Sequence, residues 1–411
     1  MRAGGGLGGG GSGYLCAMRI AMVSEHASPL AEMGGEDVGG QNVHVAGLAA
    51  ALVRQGHEVT VYTRRERPDV EATVVAPEGY AVVHIDAGPA ERIPKDRLTP
   101  YMGRFAKRLG ETWGIEPPDV VHAHFWMSGL AALRAAQPLD VPVVQTFHAL
   151  GLVERRHLGR ADTSARERIG VEREIAGACA GIIATCEDEA AELADMGVPE
   201  GKAAVIPCGV DLDRFCPVGP TAVRDGRQRL LAVGRLLRRK GFDTVIASLK
   251  ELLEVELVIA GGPAEGPVES DQEAWRLRWV AEECGVSDRV LMPGRVLHEA
   301  MPALYRASDA VVCTPWYEPF GMVALEAMAC GVPVVATAVG GLSENVADGV
   351  TGTLVDVHDP SAVAAAVRPY LFDSRTRERA GVAGRARACA SYSWDAIAAD
   401  TTKVYGTVTG A

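Results

Sequence analysis

Two series of short apolar runs, each followed by a loop and usually a helical stretch, constrain the fold of this chain more than any other feature. The first series comprises "MRIAMV" (18–23), "HEVTVYT", "AVVHIDAG", "DVVHAHF", "VPVVQTFHA", "GIIATC" and "AAVIPCGVD". The second comprises "RLLAVG", "ELVIAG", "RVLMPG", "DAVVCTP", "VPVVATA" and "GTLVD". Between the first two runs, Val45, Leu48, Ala49 and Leu52 share one face of a predicted helix over 41–55. Short strands that alternate with helices form a parallel sheet covered on both faces. One stretch, "CGVDLDRFCPVGPTAVRDGRQ" (208–228), breaks the pattern with glycine, proline and charge. The 411 residues also exceed one ordinary domain. The expected fold is α/β, with two doubly wound Rossmann-like domains facing across a cleft. The N-terminal domain is placed at 18–216 and the C-terminal domain at 217–390. A last helix within 391–411 is expected to pack back on the first domain. The glycine-dominated residues 1–17 are expected to be a disordered tail.

Charge and cysteine content narrow the function. The net charge of -12, from 53 acidic and 41 basic residues, speaks against a nucleic-acid partner. The nine cysteines are an odd, scattered set without a CxxC pair, which reads as reduced thiols in a cytoplasmic protein. No apolar run reaches membrane-span length. A monomer or homodimer is expected.

Chemistry concentrates in "EPFGMVALEAMACGVPVVATAVGG" (318–341). Pro319 disfavours helix at Glu318. Helix formers run from Phe320 to Ala329, and Gly331 stands where a helix C-cap belongs. Glu318 therefore lies in a loop before a helix and Glu326 inside it. The first turn would present the amides of Phe320, Gly321 and Met322 to an oxygen-rich ligand, with Gly321 permitting close approach. The two glutamates can accept from hydroxyl pairs such as those of ribose and sugar rings. Two solvated glutamates beside a capped helix are the simpler alternative.

The second series opens with "LLAVGRLLRRKGFDTVIASL". Gly234, Arg235 and Lys240-Gly241 bracket a strand-to-helix junction, an arrangement suited to a diphosphate. A solvated basic loop accounts for Arg238 and Arg239 equally well. No phosphate-binding GxxxxGK[ST] is present. Gly39-Gly40 precede the first helix, where backbone can approach a phosphate. His122 and His124 alternate along one strand and His148 ends the next, all near the strand ends that border a cleft. A core or hydrogen-bonding role suits His122 best. A zinc site would need further ligands, and Asp211 and Asp213 sit in a turn before the linker. No Ser-His-Asp order occurs.

Taken together, "EPFG…EAMACGVPVVAT…GG", Arg235…Lys240-Gly241, "PCGVDLDRF" and "GGQNVHV…LAAALVRQGHEVTVYT" resemble the retaining glycosyltransferases of family 4, with the GT-B fold. The similarity runs from about Met18 to the C-terminus. "SEHASPL", "HAHFWMSG" and "TFHALG" look closest to the mycothiol-pathway inositol-phosphate glycosyltransferases and sucrose-phosphate synthases. The resemblance implies transfer of a sugar from a UDP- or GDP-sugar to a hydroxyl of a small polar acceptor, a sugar, a cyclitol or a phosphate of either. It implies that Arg235 and Lys240 hold the donor diphosphate and Glu326 the ribose hydroxyls. Glu318 with the Phe320, Gly321 and Met322 amides would hold the donor sugar. His148 would touch that sugar, Gly39-Gly40 would pass close to the diphosphate, and Arg295 would lie by the base. His148, Arg235, Lys240 and Glu318 form the expected catalytic set, with no metal or other cofactor required.

Lys95, His124 and Arg168 are the expected acceptor residues. Lys95 and Arg168 match phosphate-binding positions of the mycothiol enzymes. Phe125 and Ala149 depart from the tyrosine and threonine expected beside them, so the acceptor-phosphate site is half present. Two other readings share the architecture. A sugar-nucleotide 2-epimerase would not need the Glu318 turn, and a non-catalytic nucleotide-sugar binder would not need the catalytic set.

Overall fold

The computed structural model describes residues 17–31, 39–159, 162–263 and 266–410. Residues 1–16, all but the last of the expected disordered tail at 1–17, lie outside them. The first sheet contains β1 (Arg19–Val23), β2 (Glu58–Arg64), β3 (Thr73–Val75), β4 (Ala81–Ile85), β5 (Val120–His124), β6 (Val143–Thr146), β7 (Gly181–Ala184) and β8 (Ala203–Val205). Its order is β3-β4-β2-β1-β5-β6-β7-β8. The second sheet contains β9 (Gln228–Val233), β10 (Val255–Ala260), β11 (Val290–Gly294), β12 (Ala310–Cys313), β13 (Val334–Thr337) and β14 (Gly352–Val355), in the order β11-β10-β9-β12-β13-β14. All pairs are parallel except β3 with β4. Sequence periodicity missed β3. It has three residues, and its hairpin closes through a turn with Gly79 at φ 98°.

Each sheet is covered on both faces. Val23, Val121 and Phe147 meet the helices Met102–Trp113 and Trp126–Ala136 on one face of the first sheet. Ile20, Met22 and Val144 meet the helices Gly40–Arg54 and Trp394–Thr409 on the other. In both sheets the strand order turns around the first strand, with β1 between β2 and β5 and β9 between β10 and β12. Ligands of such sheets bind at these switch points, beyond the strand carboxyl ends.

The inter-domain connection, 206–227, is tied to the second domain over most of its length. Arg385 donates to the Phe215 carbonyl at 2.8 Å. Arg306 donates to the carbonyls of Cys216 at 2.9 Å and Pro220 at 2.8 Å. The chain returns to the first domain beside this connection, where the Val210 N–H donates to the Tyr392 carbonyl at 2.8 Å. Trp394 then anchors the last helix. A Cβ at Gly47 would lie 2.2 Å from its ring, and one at Gly209 would lie 2.5 Å away. These two glycines are therefore the slot that admits the indole.

Beneath this helix sit two core histidines. His122 Nδ1 pairs with Tyr405 Oη at 2.7 Å and its Nε2 with Thr146 Oγ1 at 2.9 Å. His44 Nδ1 lies 3.2 Å from Cys208 Sγ. Burial pulls His44 from 6.5 to about 4, and burial with nearby His44 pulls His122 to about 3. Both stay neutral in the fold.

Gly209→Ala is expected to destabilise the protein by about 1–3 kcal/mol through overpacking against Trp394. Gly177→Ala, on the helix Arg168–Ala178 with open space around it, should gain about 0.5–1 kcal/mol. Urea unfolding of both variants checks this. Below pH 6.5 the unfolded chain binds protons that folded His44 and His122 refuse. Their contribution is complete above 6.5 and declines toward their folded values as pH falls, by about 1.4 kcal/mol per pH unit each. A shallower fall of unfolding free energy between about pH 6.5 and 5 in His44→Gln is the expected signature.

Candidate active site

The loops at the two switch points meet across the domains. After β9, Gly234 turns the chain at φ 150°, and a single 3-10 turn, Arg238–Lys240, leads to Gly241 at φ 67°. A Cβ on Gly241 would stand 1.9 Å from the Thr314 carbonyl oxygen, so this left-handed contact admits only glycine. Thr314 Oγ1 donates to the Gly241 carbonyl at 2.8 Å, which fastens the β9 loop to the β12 loop. The result is an ion pair between Lys240 Nζ and the Glu318 carboxylate.

Burial pulls the Lys240 ammonium below its usual value while Glu318 opposes the shift. For Glu318, burial opposes ionisation, but Lys240 and Arg239 outweigh it and hold the carboxyl below its ordinary range. The Glu318 carbonyl accepts from the Gly341 N–H at 3.1 Å, and a Cβ at Gly340 would lie 2.3 Å from it. Gly321, at φ 68°, starts the helix Met322–Ala329. The nearby Gly321 amide adds a smaller influence that favours the ionised Glu318 carboxylate.

Glu326 projects from that helix, largely buried. Tyr305 Oη donates to its Oε2 at 2.6 Å, and His298 Nε2 stands 3.4 Å from Oε1. Neither partner was singled out in the sequence, because a tyrosine in "MPALYRAS" and a histidine in a loop carry no motif. Nor was the Lys240–Glu318 pair, whose members are 78 positions apart.

On the facing wall, a Cβ at Gly39 would meet no atom of the described residues within 4 Å, and one at Gly40 would sit 3.2 Å from Phe320 and from Met322 Sδ. Gly40 is thus the close approach between the two domain rims. His148 ends its strand loop at φ 63° and faces Phe320 with ring centroids 5.3 Å apart. Its Nε2 pairs with His124 Nδ1 at 2.9 Å, and burial with neighbouring His44 keeps its pKa well below the usual imidazole value.

Gly39, Gly40, Lys95, His148, Arg235, Lys240, Arg295, Glu318, Phe320, Gly321, Met322 and Glu326 all line one cleft of about 480 Å³. Two expected acceptor residues do not. His124 shares the sheet face of His122, the face roofed by the helices Gly40–Arg54 and Trp394–Thr409, and is wholly buried behind His148. Arg168 is buried beneath Phe125 and paired with Glu154 and Glu172. Asp211 is occupied as a turn cap, its Oδ1 accepting from the Asp213 and Arg214 amides.

Residues 38–214 match the family described as Glycosyltransferase Family 4, and residues 219–387 match Glycosyl transferases group 1. The chain is 38% identical to a D-inositol 3-phosphate glycosyltransferase of Xylanimonas cellulosilytica, over 95% of this chain and 97% of the relative. A protein of the same name from Geodermatophilus obscurus is 36% identical over 92% of this chain and 86% of its own length. Among solved structures, sucrose-phosphate synthase from Thermosynechococcus elongatus superposes with a TM-score of 0.87 at 31% identity. That match covers 95% of this chain and 99% of the synthase. With two doubly wound domains, a cleft at both switch points and full-length relatives of this kind, the chain belongs to the family 4 glycosyltransferases and has the GT-B fold.

Proposed function

We propose that this glycosyltransferase moves a sugar from a nucleoside diphosphate sugar to a hydroxyl of a small cyclitol or sugar, with retention at the anomeric carbon. The observation that carries the reading is the Lys240–Glu318 pair on the cleft wall beside Arg235 and opposite His148. Breaking the anomeric bond leaves negative charge on the departing diphosphate. Lys240 and Arg235 stand where that charge would grow, and preorganised cations stabilise it without reorganisation. Glu318 holds Lys240 in place and offers acceptor capacity to the sugar. Glu326, oriented by Tyr305, would take the ribose hydroxyls, and Arg295 would lie at the base. Neutral His148 cannot repel a cation-like sugar centre and can accept or donate one hydrogen bond to it. The acceptor hydroxyl attacks from the face the phosphate leaves, and a phosphate oxygen takes its proton.

The relatives named for D-inositol 3-phosphate support a cyclitol-like acceptor. Catalysis needs no metal in this scheme, since the cations are protein groups. A cytoplasmic setting fits the eight cysteines of the described residues, all of them free. No helix among the described residues is long and apolar enough to cross a membrane. An epimerase would change the donor sugar without acceptor, and product analysis in the absence of acceptor separates the two.

Lys240→Ala is expected to lower kcat by about 10²–10³ while circular dichroism stays native. A folded variant with near-normal turnover would overturn the diphosphate assignment. Chelation by EDTA should leave the wild-type rate unchanged, and a lost rate restored by a divalent cation counts against the metal-free scheme.

A further inference from the structure

The first-domain lobe of the cleft holds Lys95, Phe125, Ala149 and Glu154. Arg168, directly beneath, is the cation that would most naturally grip an anionic acceptor, and all its nitrogens are engaged. Nε donates to Glu172 at 2.7 Å, Nη1 donates to Glu154, and Nη2 donates to the Ala149 carbonyl. Phe125 covers the guanidinium face, with its ring centroid 5.0 Å away. A Cβ at Gly151 would touch the Arg168 side chain at 2.9 Å, so the backbone is shaped around this buried arrangement. The Gly151 N–H holds Glu172 in turn, at 2.9 Å from Oε2.

Glu154 is different from Glu172, because it lines the cleft itself. Burial works against its ionisation, and Arg168 and Lys95 outweigh that, so its carboxyl lies below the ordinary range. An incoming group therefore meets an ionised carboxylate in front of Arg168. Its Oε1 has no hydrogen-bond partner among the described residues and can accept from a hydroxyl. Lys95, set 5.5 Å from the Phe125 ring, and Arg239, donating to the Tyr317 carbonyl at 3.1 Å, are the other charged groups near it. A phosphate dianion needs several cationic donors converging on it, and here Arg168 is screened by a carboxylate of the same sign as the phosphate.

We propose that Glu154 sets acceptor specificity: the acceptor is a neutral polyol, a cyclitol or sugar without phosphate at the end entering this lobe. This rests on the glycosyl-transfer reading above and sharpens its acceptor. One hydroxyl of the polyol donates to Glu154, and the carboxylate keeps Arg168 from serving an anion.

The test begins with donor binding. UDP, GDP and ADP are titrated calorimetrically into wild type, Glu154→Gln and Glu154→Ala. If none binds the wild type, the glycosyl-transfer reading fails, independently of Glu154. With the bound nucleotide present, inorganic phosphate is then titrated into each protein. Both variants are expected to bind it at least about tenfold more tightly than wild type, because Arg168 Nη1 is released and the carboxylate that repels the anion is gone. Transfer to unphosphorylated inositol and to D-inositol 3-phosphate is compared in parallel. The wild type is expected to favour the unphosphorylated ring, and the variants to shift the kcat/KM ratio toward the phosphate form by about tenfold or more. Phosphate binding that is the same in all three proteins overturns the proposal. So does a wild type that prefers the phosphorylated ring by about tenfold or more.

Discussion

The ion pair between Lys240 and Glu318 is the interaction on which the cleft depends. Either charge alone, taken out of water, would neutralise itself. Together they remain charged, and each fixes one switch-point loop, the one after β9 and the one after β12. The glycines around them follow from this contact. Gly241 lets the first loop rest on Thr314, and Gly340 and Gly341 let the backbone close over Glu318. A pair held this rigidly suits a reaction that creates charge in the transition state, since its dipoles need not move when the bond breaks.

The facing wall is built by a different logic. His148, His124, His44 and His122 form a buried group whose members all stay neutral, each disfavoured as a cation by burial. Their order is imposed by the covering helix through Tyr405 and Trp394. The His148 imidazole on the cleft wall thus rests on a stack of aromatic and imidazole rings that begins in the helix Trp394–Thr409. Around His148 the first domain presents neutral rings, and the second domain faces them with the charged Lys240–Glu318 pair.

The alternation of apolar runs and helices made both sheets legible, because a strand buried on both faces is an uninterrupted apolar word. The short edge strand β3 was invisible for the opposite reason: three residues, two of them exposed, carry no period. Local chemistry at Glu318, Gly321 and Glu326 could be read because the motif is contiguous. Partnerships across the chain could not. Lys240 meets Glu318, Tyr305 meets Glu326, and Glu154 meets Arg168 only after folding. For Arg168, position in the sequence did not reveal its partners. Its place suggested a ligand contact, whereas two carboxylates and an aromatic ring already surround it. His124 is likewise buried away from the cleft, because strand alternation places it under a helix that is far away in sequence.

The chain passes between the domains twice, at Val210 and at Tyr392–Ser393, and the two passages lie side by side, joined by a backbone hydrogen bond. Covalent linkage therefore acts along one narrow edge. Across the rest of the cleft the domains touch only through reversible contacts, such as Asp188 with the Gly340 amide and His157 stacked on Tyr317. In mechanical terms this is a hinge with its pin at one side. The covalent constraint between the domains is confined to that edge, so residues that face each other across the cleft, Gly40 and Phe320 among them, are held at their separation by non-covalent contacts.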